Sequence, residues 1–291
     1  MEEFLQYIFS GLTNGTIYAV IAIGFSTLFA ATDLINFAQG EFVMFGALCF
    51  MSFWNIFNIP LPLAFLLAVL VTGIIGVLFE RLAIRPVRKP EPIVLIIITV
   101  GASIFFRGVG MLIWGKDAHS VEAFTSGDPV EIGGAYISQQ SLWIIGIALL
   151  SVIGLNLFYN RTLTGKAMTA CSINKKAASL LGIATERMTL FAFLLSGAMG
   201  GLAGVIISPI TMSDYHMGTM LGIKGFCAAM LGGLGSFWGA VMGGLILGIM
   251  EAMAVGYISS SLRDAIAFML LLLILYLKPT GIMGGKVSTR F

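Results

Sequence analysis

Apolar runs of about 20 residues alternate with short polar interruptions along this chain. That length carries an α-helix across a ~30 Å hydrocarbon core at 1.5 Å per residue. Such runs fall at 5–31, 42–57, 63–82, 93–114, 142–159, 189–212, 222–231, 238–258 and 265–277. The seventh is short enough to be a broken or half-spanning helix, and only SSSLRD parts the eighth from the ninth. The pattern predicts an all-α polytopic membrane protein with eight or nine transmembrane helices. Between the fourth and fifth runs, VEIGGAYIS reads as a small hairpin lying on the bundle surface.

Composition agrees. The chain is 58% hydrophobic and 10% charged, against about 25% charged in soluble domains. No soluble fold of this length hides so much apolar side chain. No polar stretch is long enough to fold alone, so 1–291 reads as one transmembrane domain. The N-terminus lacks the basic region of a signal peptide. Cys49, Cys171 and Cys227 sit apart and suggest neither a disulfide framework nor a metal site.

Lys and Arg in the short loops set the orientation. Arg81, Arg85, Arg88 and Lys89 follow the third run. Arg161, Lys166, Lys175, Lys176 and Arg187 follow the fifth, and Lys278, Lys286 and Arg290 lie in the tail. The loop at 115–141 sets one Lys116 against Asp117, Glu122, Asp128 and Glu131. The basic loops and tail are therefore cytoplasmic, and the N-terminus, with Glu2 and Glu3, is outside. The count closes only with nine crossings.

Two interruptions break this regularity: DLINFAQGE at 33–41 and GGLGS at 232–236. Polar or glycine-rich backbone at membrane depth is tolerated where protein or a water-filled cavity satisfies it, and transporters place such breaks at the pathway. Asn36, Phe37, Gln39, Glu41, Gly232, Gly233, Gly235 and Ser236 are the candidate pathway residues. The alternative is an ordinary cytoplasmic turn, which suits the glycine break better than the first. Small residues four apart (Gly197/Gly201, Gly200/Gly204, Gly235/Gly239, Gly239/Gly243, Gly244/Gly248) let helices approach closely. Packing within the subunit is the simpler reading of them. Charge at membrane depth is costly. Arg107 and Lys224 lie toward the outer ends of their runs, where snorkelling is the simpler expectation. Glu251, near mid-span, is expected to pair with a cation or line the pathway.

Catalytic signatures are missing from the sequence. Gly165-Lys166 and Gly285-Lys286 lack the Ser or Thr of a phosphate loop. His119 and His216 fall in outer loops without partners at ligand spacing. No nucleophile elbow or carboxylate pair appears. The expectation is a non-enzyme that binds no cofactor or metal of its own and no nucleic acid.

The long cationic stretch at 161–187 remains. AMTACSINKKAASLLGI places Ala170, Ile173, Ala177, Leu180 and Leu181 on one helical face. Gly182 stands ready as a left-handed C-cap, Thr185 as an N-cap for the next helix, and Glu186 in its first turn. A helix, a sharp turn and a second helix start make a compact knob suited to a soluble partner. An amphipathic helix resting on anionic lipid is the other reading.

AASLLGI, GAMGGLAGVI, KGFCAAMLGGLGSFWGAVMGGLILGIMEA and LKPTGIMG, with GLTNGTIYAVIAIGFSTL and DLINFAQGEFVMFGA near the start, together resemble a known family. It is the permease subunit of branched-chain amino acid ABC importers, the LivH type, and the likeness covers nearly the whole chain. It implies an importer fold of discontinuous helices in the bacterial inner membrane. It also implies a second, LivM-type permease, two cytoplasmic ABC ATPases that use the ATP, and an external substrate-binding protein. Lys175, Lys176, Ala177, Ala178, Leu180, Leu181, Gly182 and Ile183 would then be the ATPase-coupling loop, with Lys176 where that motif often has Glu. Permeases for urea and short amides share these motifs, and a stand-alone channel or secondary transporter is the reading from another class.

Overall fold

Every predicted apolar run is a helix in the computed structural model, which describes residues 2–87, 91–125, 127–278 and 280–283. The basic positions Arg88, Lys89, Lys286 and Arg290 lie outside those residues. Helix α1 is Glu2–Thr32. α2, Gln39–Met51, runs on through a π-helical turn at Ser52–Ile56. α3, Leu61–Phe79, ends in another π turn at Glu80–Ile84. α4 is Pro92–Trp114 and α5 is Gln139–Arg161. Two short helices follow, α6 (Leu163–Ile173) and α7 (Lys175–Leu180). α8 is Thr185–Ile207, α9 Met217–Gly232, α10 Phe237–Tyr257 and α11 Arg263–Leu277.

Six of these helices are long and apolar enough to cross a membrane unaided: α1, α3 with its π turn, α4, α5, α8 and α10. α9 is longer than the 222–231 run predicts, starting at Met217. Its 16 residues rise ~24 Å. The extra turn exists because Gly218 and Gly222 let α9 close onto Gly40 of α2. The shorter apolar helices α2, α9 and α11 come in addition to these six, in line with the eight or nine spans expected.

α1 is the central post. In its most apolar window 83% of residues are buried, against 17% for α4. α10 lies antiparallel along it, with Gly244 against Ala19 and Gly248 against Gly15. α8 wedges between α1, α2 and α3, its Gly204 facing the backbone of Val43 and its Gly201 facing Thr72. A Cβ at Gly204 would overlap main chain, so the four-residue glycine spacing here serves packing inside one subunit. Phe79 packs edge to face on Phe42, Phe106 and Phe193 where α2, α3, α4 and α8 meet, and Phe42 and Phe106 are tilted on each other.

Contacts at the two ends agree with the orientation. The expected hairpin forms from β1 (Val130–Ile132) and β2 (Ala135–Ile137), turning at Gly133 and Gly134 with φ of 63° and 84°. Gln6 of α1 holds it through both backbone groups of Tyr136, at 2.8 and 3.0 Å. The N-terminus and the acidic loop therefore share one end. At the other end Arg85 pairs with Glu186, joining the two basic loops.

Candidate functional site

α1 stops at Asp33, whose φ of 57° reverses the chain. The chain then climbs back beside α1 until Gln39 opens α2 at the level of Gly24. Asn36 stabilises this return: its Oδ1 accepts from the Ala38 N–H at 3.0 Å, and its carbonyl accepts from the Gln39 N–H at 3.1 Å. The Gln39 amide donates to the Ser196 carbonyl at 2.9 Å. Its Oε1 lies 2.6 Å from the Ser196 hydroxyl, which also reaches the Gly24 carbonyl at 3.0 Å. The break is thus a buried joint of α1, α2 and α8, not a surface turn.

Glu41 extends that joint to α4 and α9. Its Oε1 accepts from Ser103 at 2.8 Å and from Thr219 at 3.5 Å, with Arg107 Nε 3.8 Å away. Its Oε2 has no hydrogen-bond partner among the described residues. Asn36, Gln39 and Glu41 are each at most 1% exposed, whereas Phe37 is 37% exposed and stacks on Phe226 at 5.5 Å. The four candidates come together in the fold, but only Phe37 reaches an open face.

The glycine break is a turn between α9 and α10. Gly233 and Gly235 take φ of 103° and 85°, a region that favours glycine. Ser236 caps α10 through the Gly239 N–H at 3.1 Å. The C-terminal segment pairs here, Ile282 and Met283 donating to the carbonyls of Leu231 and Gly232, each at 2.9 Å. Gly232 lets α9 and α10 touch main chain to main chain.

The three ionisable residues within the spans all point inward, which corrects the snorkelling expected for Arg107 and Lys224. Lys224 donates to Glu251 Oε1 at 3.1 Å and lies 2.8 Å from Asp264. Arg263 also bonds that Oε1, and Tyr18 donates to it at 3.2 Å. A buried partner wins here because an ammonium at this depth is cheaper paired than stretched toward water. Ser103, Ser196, Thr219, Tyr18, Arg263 and Asp264 are polar partners that sequence reasoning missed. Ser103 and Arg107, one turn apart on a helix whose other polar side chain is Thr99, were the available signal.

The cationic stretch at 161–187 forms two helices before its turn instead of the single one expected. Asn174 interrupts it with extended backbone (φ −155°, ψ 101°), and its side chain accepts from the Ala177 N–H at 3.0 Å to start α7. The buried face is therefore Gly165, Met168, Cys171 and Ala178, while Ile173 turns out to solvent. Burial pushes the Cys171 thiol up, so it stays a neutral packing group. Gly182 caps α7 in the left-handed region at φ 84°, with the Ile183 N–H returning to the Ala178 carbonyl at 3.1 Å. Thr185 is not a cap: Ala184 precedes α8 without a side-chain bond, and Glu186 of the first turn engages Arg85.

Leu180 and Leu181, 89% and 82% exposed, therefore stand out at the tip of a capped turn, flanked by exposed Lys175, Lys176 and Ala177. Beside them a cleft of about 510 Å³ is lined by Arg81, Arg85 and Arg187, with Glu186, Ser179 and Ile183. An apolar tip with a cationic flank is a docking shape.

Comparison with known proteins agrees with this architecture. The sequence profile of the branched-chain amino acid transport system / permease component family matches residues 7–275. The high-affinity branched-chain amino acid transport system permease protein LivH of Escherichia coli (strain K12) is 36% identical, over 97% of this chain and 96% of its own. BraD of Pseudomonas aeruginosa, a permease protein of the same description, is 34% identical over the same shares. A probable LivH of Methanocaldococcus jannaschii is 28% identical over 91% of this chain and 88% of its own.

Proposed function

The chain belongs to the branched-chain amino acid transport system permease family, and from that membership we propose that it carries branched-chain amino acids inward beside a second, LivM-type permease. It is a permease subunit of an ABC importer in the inner membrane, working with ATPase and substrate-binding partners. The observation that carries the coupling role is the capped tip at Leu180–Gly182. Two large apolar side chains there are held out in water by a buried Ala178 and a left-handed glycine. Lys175, Lys176, Ala177, Leu181 and Ile183 complete the surface offered to the ATPase.

Asn36, Gln39 and Glu41 shape the pathway indirectly in this reading, by fixing where α2 begins, and Phe37 is the member that meets the passage. The turn with Gly232, Gly233, Gly235 and Ser236 supplies the joint on which α9 and α10 tilt. The binding energy of the knob drives nothing by itself. ATPase closure moves α7, and α7 is continuous with α8 through only four residues, 181–184. α8 in turn holds Gln39 through Ser196. The physical route from nucleotide to pathway is that chain of contacts.

Reconstitution with the partner permease, ATPases and binding protein tests this reading. Labelled leucine should accumulate only with ATP, and unlabelled isoleucine or valine should compete where urea does not. Leu180→Ser with Leu181→Ser should strip the ATPase from the purified complex while the permease still inserts. Uptake without the ATPase, or competition by urea alone, overturns the proposal.

A further inference from the structure

The least buried helix leaves a gap beside it. α4 packs mainly on α2 and on the π turn that ends α3, and it meets α3 itself through Phe106 on Phe79, with a gap left beside that contact. Between them lies a groove of about 440 Å³ whose lining is entirely apolar, including Leu78, Phe79 and Leu82 of α3 and Ile98, Gly101 and Phe105 of α4. The space is open at Gly101, where a Cβ would meet no atom within 4 Å. An unfilled groove of this size forfeits the dispersion contacts of every side chain lining it.

Its place along α3 says what fills it. The groove occupies the last turns of α3, toward its basic end, and the middle of α4. Arg81 and Arg85 stand among those turns and line the cationic cleft beside the coupling turn. Arg85 is paired with Glu186, while Arg81 is exposed and in no ion pair among the described residues. Arg88 and Lys89 follow in the same loop of the sequence.

We propose that this groove holds an acyl chain of an anionic phospholipid from the inner leaflet, with its phosphate at Arg81 and Arg85. The match is one of charge and shape together: an apolar slot at hydrocarbon depth, ending at cations at headgroup depth. A transmembrane helix of a protein partner would fill the slot and leave Arg81 without a counter-charge. The phosphate would also sit against Arg187 and Ser179 of the cleft, so the lipid would brace the turn that carries Leu180.

The test uses the assembled transporter, purified in detergent and exchanged with phosphatidylglycerol or phosphatidylcholine of identical chains. Retained lipid is read by native mass spectrometry. The wild type should retain phosphatidylglycerol preferentially. Gly101→Phe, which fills the slot, should abolish that retention. Gly108→Phe, on the same helix, equally open and outside the groove, should keep it. Arg81→Gln should cut the preference for the anionic lipid roughly fivefold, the effect of one interfacial cation, and leave phosphatidylcholine retention unchanged. Equal retention in wild type and Gly101→Phe overturns the site. So does an unchanged preference in Arg81→Gln. Release of the second permease from Gly101→Phe with lipid unaffected also overturns it, and identifies the groove as a subunit seam.

Discussion

Glu41 and Glu251 are both 1% exposed at membrane depth, and each uses one carboxylate oxygen while the other has no hydrogen-bond partner among the described residues. They are nevertheless held in opposite ways. Glu251 is held by full charges, Lys224 and Arg263, with Asp264 also paired to Lys224. Glu41 has hydroxyls close by, and its cation, Arg107, is 3.8 Å away with a side chain 26% exposed. It lies in the first turn of α2 and beside Thr219 in the first turn of α9. Two helix N-termini thus supply partial positive charge where a cation is lacking. The first arrangement welds α9, α10 and α11 to α1. The second leaves α2, α4 and α9 joined by interactions that a small displacement can exchange. A transporter needs both kinds of joint, one that holds through the cycle and one that gives.

The largest expected effect separates the two directly. Glu251→Gln leaves the buried Lys224 and the half-exposed Arg263 with one carboxylate, Asp264, and removing a partner from a buried ion pair such as Lys224–Glu251 costs about 3–5 kcal/mol. Glu41→Gln keeps an acceptor for Ser103 and loses a charge that was poorly compensated. Its stability should change by less than about 1 kcal/mol, the scale of a helix-terminus interaction. Denaturation of the purified complex in detergent measures both. Equal losses would show that Glu41 is as firmly charge-paired as Glu251, and the contrast between the joints would fail. Transport should order them the other way, Glu41→Gln altering the rate in a complex that is still assembled.

Next in size is Ser103→Ala. Its hydroxyl is the single close donor to Glu41, at 2.8 Å. A bond to a charged group contributes about 1.5–3 kcal/mol, and deleting it leaves the carboxylate with the 3.5 Å Thr219 contact and the distant Arg107. The loss should vanish in the Glu41→Leu background, because the hydroxyl then has no charge to serve. A loss that persists there would mean that Ser103 stabilises α4 for some other reason.

How much of this was legible follows from what each feature depends on. The spans, the hairpin and the Gly182 cap are written locally: apolar length, a GG turn between alternating residues, a glycine after a helical face. Asn174 was equally local and still misread, because an Asn inside a helical pattern also serves as a cap, and only the fold shows its backbone extended. The direction of Arg107 and Lys224 was not legible. A side chain near a helix end snorkels or turns inward according to what the neighbouring helices offer, and Asp264 and Glu41 are far away in sequence. The meaning of Gln39 was hidden for the same reason, since Ser196 lies 157 residues away along the chain.

The smallest effect is the most diagnostic. Tyr18→Phe also deletes one hydroxyl that donates to a buried glutamate, as Ser103→Ala does. At Glu251, however, the same Oε1 keeps Lys224 and Arg263. The phenol bond, at 3.2 Å, is the longest of the three to that oxygen. Its loss should cost about 0.5–1 kcal/mol, the net value of an ordinary hydrogen bond, and the ring keeps its place over Lys224 at 5.7 Å. The ratio of the two hydroxyl deletions therefore reads out how much cationic support each carboxylate has. A Tyr18→Phe loss as large as that of Ser103→Ala would mean that the cations at Glu251 do not share its charge, and that both joints rest on hydroxyls.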